Sequence, residues 1–438
     1  MAPSPTAAAP APDRSATASA GAVTGDRGAA FWAKQARVTD VAGRLVAASR
    51  KQARQGGYAG VITNPEKSAL TLYWKGTVPA AVRQATTSDR RVKVTVAPAP
   101  YTRHQLTVAR DRVVERRSAL PGKLTSVGPS PDGGGLLIGM APVGGKAVAA
   151  RQSAAFARGV TGITGGVKVT RVETSSPELS VGKVPAGQNP ESFVGRAGGR
   201  RGAQAYGGAG WVFNNGREYC STGFAARYWQ TTASRMVTAA HCGSHGANAH
   251  SPEYPTNRPF GRVMIQRFNR DMGLLYVASN SDPGFFKGYI WWGSWVGNPS
   301  HQQLRKVTGV NGNFVGNKVC SSGAPTGTVC DIRIEALDQT IPISTPNGAL
   351  VHHGVKVRNR NHYPNHRSIP VWGQGDSGGP IVQEDGAGHV HGLGTISASD
   401  LAYRTDCQGQ PGRNCSSVGW YGALDSYSQY ENIDILHG

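Results

Sequence analysis

Apolar residues recur at two different periods along this chain, and the change of period divides it in two. From Ala29 to Lys51 the apolar positions Phe31, Val38, Val41, Leu45 and Val46 fall near helical spacing among Arg and Lys, which predicts a first helix. Gly56-Gly57 breaks it. The stretch GYAGVITNPEKSALTLYWKG then reads as a hairpin turning at Asn64-Pro65, VPAAVRQA as a short helix and RVKVTVAP as a strand. The order returns further on, with GGLLIGMA as strand, AVAARQSAAFARG as helix and GGVKVTRVE as strand. Two strand–helix–strand units in succession predict an α/β region over 29–182.

The texture then changes. Residues 183–206 are rich in Gly and Pro and carry the pair Arg200-Arg201, the composition of an exposed linker open to proteolysis. A processing cut is expected there, between Gly195 and Tyr206. From 207 to 438 short apolar or alternating runs are separated by Gly, Asn, Ser and Pro, the pattern of an all-β barrel or sandwich. Residues 1–28 form an Ala/Pro/Ser-rich leader without the continuous apolar core of a signal peptide. No apolar run is long enough to span a bilayer.

Charge changes this picture little. The net charge of +21 is concentrated in residues 1–200, where 28 Lys and Arg stand against 11 Asp and Glu; residues 201–438 carry 19 against 15. No nucleic-acid-binding motif accompanies the excess, so no nucleic-acid partner is expected, and the basic half reads as a folding or inhibitory segment. A basic binding module is its rival reading. The six cysteines, Cys220, Cys242, Cys320, Cys330, Cys407 and Cys415, all lie in the β-rich half. An even number without a C-x-x-C pair points to disulfides and an oxidising compartment. Zinc is the alternative, with His352, His353, His389 and His391 as possible ligands, but no Cys/His spacing fits a ligand frame. No metal and no cofactor are expected.

Three segments carry candidate chemistry. RMVTAAHCG places His241 after an apolar strand, NRDMGLLYV places Asp271 before another, and GQGDSGGPIV places Ser377 in a glycine-rich loop leading into a third. Amide hydrolysis needs a nucleophile, a base that returns its proton as an acid, and donors for the developing oxyanion. A lone His or Asp at a strand end is commonly structural. Six specified residues around a serine, with both partners elsewhere in the same chain, are much more specific. The Ser-first order and strand–helix elbow of the esterase-type hydrolases are absent.

TAAHC, the N-x-D-x-x-L-L setting of Asp271 and GDSGGP resemble the chymotrypsin-like serine proteases, in particular the bacterial secreted branch of the streptogrisins and alpha-lytic protease. The resemblance covers 207–438 by motif and the first half by architecture. It implies two six-stranded antiparallel β-barrels behind an α/β pro-segment, and a triad of His241, Asp271 and Ser377. It further implies an oxyanion hole from the amides of Gly375 and Ser377. Ser397 matches the family's serine beside the buried aspartate. With Val371 at the pocket base and Ser397, Ala398, Ser399 and Gly419 on its wall, cleavage after apolar residues such as Leu, Met, Phe or Tyr is expected. Ser399 stands where large-pocket members have Gly, so the slot is shortened.

Two departures from the family pattern stand out. Ser321 replaces the Arg that accompanies the aspartate before the nucleophile, so Asp376 needs another partner: Lys318, a different Arg, or an α-amino group. Gly373 replaces a cysteine, so the pairing expected is Cys220–Cys242, Cys320–Cys330 and Cys407–Cys415. The chain is thus expected to be a secreted, monomeric serine endopeptidase made as a precursor. It would act on proteins or peptides, with its own pro-segment as intramolecular folding assistant or inhibitor and no membrane partner. A catalytically silent, protease-like binding protein is the alternative.

Overall fold

The first helix forms over Ala29–Arg50 and serves two cores at once. Trp32 near its start packs with Phe224, Ile290 and Val382 of the β-rich half. Val38, Val41, Ala42 and Leu45 pack on Val61, Leu70, Leu72 and Trp74 of the first half. Between these apolar faces the buried Gln35 and Thr39 are polar because they meet backbone and amides. Gln35 donates to the carbonyl of Lys318 and accepts from its N–H, both at 2.7 Å, and Asn317 donates to Thr39 Oγ1 at 2.8 Å. A buried amide side chain is tolerated only with partners of this kind.

The computed structural model describes residues 23, 25–50, 56–120, 122–141, 156, 159–186, 205–228, 233–251, 261–270, 272–276, 285–293, 303–343, 351–363, 367–410, 412–426 and 432–438. The expected hairpin is the antiparallel pair Tyr58–Asn64 and Ala69–Trp74, joined by the short 3-10 turn Pro65–Lys67. Ala69–Trp74 alternates half-buried and buried positions, as a strand with one covered face must. Lys93–Pro98 completes this sheet in parallel, after the helix Ala80–Thr86. The helix Arg103–Glu115 opens with a full capping box, Thr102 to Gln105, and covers the strands Leu124–Pro129 and Leu136–Met140. Val169–Glu173 joins the latter in parallel. Of the helix expected over 147–159, residues 147–155 and 157–158 lie outside the described residues, and residues 159–164 are helical.

The β-rich half matches the expected class. Lys318–Gly323, Gly327–Ile341, Val351–Arg358, Val418–Ala423, Val390–Asp400 and Pro380–Glu384 pair antiparallel in that order, and the last returns to the first. These six strands close a barrel. Its interior holds Val319, Ile332, Val357, Ile381, Ile396 and Tyr421. A second set of six antiparallel strands runs in the order Asn248–Ala249, Gly261–Arg267, Met272–Tyr276, Ser234–Thr238, Ala225–Tyr228 and Ile433–Ile435. Cys220–Cys242, Cys320–Cys330 and Cys407–Cys415 are bonded as expected. Closing a loop of 22 residues at Cys220–Cys242 stabilises by about 3 kcal/mol on chain-entropy grounds. Among the described residues no helix is long and apolar enough to cross a membrane.

The two halves are held together by charge as well as packing. Arg103 donates through Nε to Asp338 Oδ2 at 3.0 Å and also through Nη2, and His353 lies 3.3 Å from the other carboxylate oxygen. Burial alone would raise the Asp338 carboxyl, but the Arg103 charge and the hydrogen bonds of His353 and Arg103 hold it well below the usual carboxylate range. A depressed carboxyl stabilises fully above its ordinary value near ~3.9 and loses that contribution as pH falls toward the depressed one. Acid should therefore loosen the N-terminal half from the β-rich half. After the linker is nicked, the halves should co-elute in size exclusion at neutral pH and separate progressively below about pH 4. Asp338→Asn should flatten that acid dependence.

Candidate active site

His241 sits in the turn that leaves strand Ser234–Thr238. The turn is fastened twice. Cys242 is bonded to Cys220 on the neighbouring strand Glu218–Ser221, and Gln266 Nε2 donates to the carbonyls of Ala240 and Gly243, each at 2.7 Å. Asp271 lies outside the described residues. Two residues beyond it, Gly273 belongs to the strand paired with Ser234–Thr238, and a Cβ there would come within 3.2 Å of the Ala239 carbonyl. The backbone after Asp271 therefore runs directly beneath the His241 turn.

Ser377 comes from the loop between the strands Trp372–Gly373 and Pro380–Glu384. Gly375 and Gly378 hold φ of +92° and +83°, which side-chain-bearing residues rarely adopt. Space excludes them as well: a Cβ at Gly375 would lie 2.0 Å from the Tyr219 ring, and one at Gly378 2.0 Å from Thr238 Oγ1. The loop brings Ser377 Oγ to 2.7 Å from His241 Nε2 and 3.4 Å from the Ser397 carbonyl. Both side chains are buried. A hydroxyl at that distance from an imidazole nitrogen can pass it a proton.

The amides of Gly375 and Ser377 converge on one point. Both donate to the carbonyl oxygen of Ser180, at 2.6 and 3.3 Å. Two convergent N–H groups beside a nucleophile are the geometry that stabilises a developing oxyanion. Beneath them Asp376 is fully buried, and the partner it needs is Arg413, at 3.4 Å. Thr326 donates to it through both N–H and hydroxyl, and Gly373 N–H at 2.7 Å. Burial raises the Asp376 carboxyl against the opposing pull of Arg413, Thr326 and Gly373. Ser321, at the place of the family's Arg, donates instead to the Val371 carbonyl at 2.7 Å.

A serine on one wall of a closed six-stranded barrel thus meets a histidine from a second six-stranded antiparallel set. The fold is chymotrypsin-like. No family model matches the chain, and no curated protein matches it. Among solved structures it is similar to protease A of Thermobifida fusca, at 23% identity over 53% of this chain and 100% of the other, with a TM-score of 0.38. A Nocardiopsis protease is similar at 21% identity over the same shares, with a TM-score of 0.38. Cellulomonas bogoriensis chymotrypsin is similar at 19% over 53% of this chain and 98% of the other, with a TM-score of 0.35.

The expected pocket residues separate. Ser397, Ala398 and Ser399 lie on the strand Val390–Asp400, with Gly419 paired opposite Ser399. The space beside Gly419 is filled by the Trp372 indole, 2.3 Å from where a Cβ would stand, and that indole donates to the Ala398 carbonyl. Val371 is fully buried and packs with the barrel interior. The Ser397 hydroxyl has no hydrogen-bond partner among the described residues, and Asp271 is not one of them. Of the histidines considered for zinc, His353 faces Asp338 and His389 faces Asp385. Among the described residues the one close group of possible ligands is Cys220, His241 and Cys242, whose sulfurs are bonded to each other. Sequence reasoning missed Gln266, Thr326, Arg413 and Ser180. Each reaches its partner across 23 or more residues of chain, and no short motif marks it.

Proposed function

We propose that the chain is a secreted serine endopeptidase, made as a precursor, that cleaves peptide bonds through an acyl-enzyme. Ser377 Oγ attacks the scissile carbonyl while His241 takes its proton and then delivers it to the leaving amine. Asp271 orients the imidazole, and the amides of Gly375 and Ser377 hold the oxyanion. The observation that carries this reading is the 2.7 Å contact of His241 Nε2 with Ser377 Oγ beside two convergent amides. The three disulfides agree with an oxidising, extracellular setting. The basic N-terminal half, packed against both β regions through Trp32 and Arg103, acts as folding assistant or inhibitor. A cut between Gly195 and Tyr206 sets the N-terminus of a monomeric enzyme whose partners are protein or peptide substrates.

The residue before the cut is uncharged in this reading. A cationic side chain entering the slot beside Trp372, Ala398 and Ser399 would lose hydration without gaining a counter-charge, which costs several kcal/mol. Trp372 over Gly419 and the hydroxyl of Ser399 also shorten the slot. We infer a preference for small and medium apolar residues over Phe and Tyr, and for all of these over Arg and Lys. Peptides varied only at that position, given to the processed enzyme, should show kcat/KM lower by about a hundredfold or more for Lys than for Ala or Leu. Preference for Arg or Lys would overturn the pocket and leave the nucleophile standing.

A further inference from the structure

A strand of the N-terminal half crosses the site beside His241 and Ser377, pairing with the strand Val390–Asp400 on one side and Glu218–Ser221 on the other. Pro177–Leu179 lies antiparallel against Ala398–Asp400, with Leu179 opposite Ala398 and Glu178 opposite Ser399. The start of this segment is pinned by Ser175, whose N–H and hydroxyl both donate to Asp400 Oδ1, at 3.1 and 2.5 Å. Ser180 N–H then donates to the Ser397 carbonyl at 3.2 Å, and its own carbonyl takes the two amides of Gly375 and Ser377. On the far side Gly182–Lys183 pairs antiparallel with Glu218–Tyr219, and Val184 N–H donates to the Arg217 carbonyl at 2.9 Å.

We propose that this segment is the enzyme's first substrate and that the bond it presents is Ser180–Val181. The assignment rests on the serine-protease reading above. Main-chain pairing on both sides fixes the register, because a slip by one residue would turn every side chain to the opposite face. The side chains agree with that register. Ser180 is buried and its hydroxyl lies 3.1 Å from the Ser399 hydroxyl, as a short slot requires. Leu179 packs on the cluster of Ala398 and Trp420. Gly182 passes so close to the Tyr219 ring that a Cβ would lie 2.1 Å from it, leaving room for glycine alone.

In the first step Ser377 Oγ bonds to the Ser180 carbonyl carbon and His241 receives the hydroxyl proton. The carbon–nitrogen bond to Val181 breaks, and the proton passes from His241 to the Val181 nitrogen, which leaves as an amine. Water, the second reactant, then gives a proton to His241 and its oxygen to the acyl carbon. The ester opens, Ser377 recovers its proton, and Ser180 becomes a C-terminal carboxylate. Both groups belong to one chain and are already held together, so the first cut is intramolecular. Trimming between Gly195 and Tyr206 follows as a second event.

The full-length chain, freshly purified, should be followed by intact mass and N-terminal sequencing, with hydrolysis of a separate Ala-containing peptide measured alongside. The first new N-terminus should be Val181, appearing at a rate that is unchanged over a concentration range of about twentyfold. The Ser377→Ala chain should stay whole. Ser180→Ala should be cut at a similar rate and Ser180→Lys at least about tenfold more slowly. A first cut between Gly195 and Tyr206 with 177–184 intact, in a sample that hydrolyses the peptide, would overturn the proposal alone. Cleavage at Ser180–Val181 in the Ser377→Ala chain would also overturn it. Loss of both activities in the wild type would bring down the nucleophile assignment as well.

Discussion

Once the N-terminal half has been cut away by an added protease and removed, replacing Ser377 by Ala, or His241 by Ala, should lower kcat by ~10⁶ and leave KM nearly unchanged. In the proposed mechanism the two residues, 2.7 Å apart, act as one proton-transfer unit, so removing either removes the same step. The double variant should accordingly be little worse than either single one, because the losses are not additive. A small residual rate over water should survive, supplied by the amides of Gly375 and Ser377. Steady-state kinetics on the three variants checks this, and losses that multiply would show the two residues to act independently.

Arg413→Ala should be the most damaging change away from the nucleophile. Asp376 is fully buried directly before Ser377, and Arg413 is the cation beside it, itself 4% exposed. Arg413 does more than neutralise. It donates to the carbonyls of Gln374 at 2.7 Å and Gln408 at 2.9 Å, tying the loop of Ser377 to the loop closed by Cys407–Cys415. Removing one partner of a buried pair leaves a charge without compensation, and about 3–5 kcal/mol of stability should be lost. Asp376→Asn in the Arg413→Ala background should restore part of it, since the amide oxygen can still accept from the Thr326 hydroxyl and the Gly373 N–H without needing a cation, at the cost of the bond from Thr326 N–H. Denaturant unfolding of the single and double variants measures this, and an additive double variant would refute the pairing.

How much of this was legible in the residues depended on the range over which each feature acts. His241 and Ser377 stand in short segments whose neighbours are constrained by the same chemistry. Gly375 and Gly378 are required by positive φ and by Tyr219 and Thr238, so the motif is conspicuous in one chain. Strand character was equally local: Phe286–Trp292 alternates buried and half-buried positions along its whole length. Arg413 was hidden because it replaces a function usually met at the place of Ser321, which lies 92 residues earlier. Gln35 and Thr39 broke the apolar spacing of the first helix because their partners, Lys318 and Asn317, lie on the other half. Ser180 carries no local signal at all. An unremarkable serine before a valine acquires meaning only when the fold brings it to the amides of Gly375 and Ser377.

The central claim is that Ser377 is a nucleophile activated by His241, and a covalent label tests it most directly. The processed enzyme should be treated with a serine-directed phosphonate and the adduct located by peptide mapping. One adduct per chain is predicted, on Ser377, with none formed under the same conditions on the His241→Ala variant after an added protease has cut away its N-terminal half and the half has been removed. An adduct on another serine, or labelling of Ser377 that is indifferent to the loss of His241, would contradict the claim.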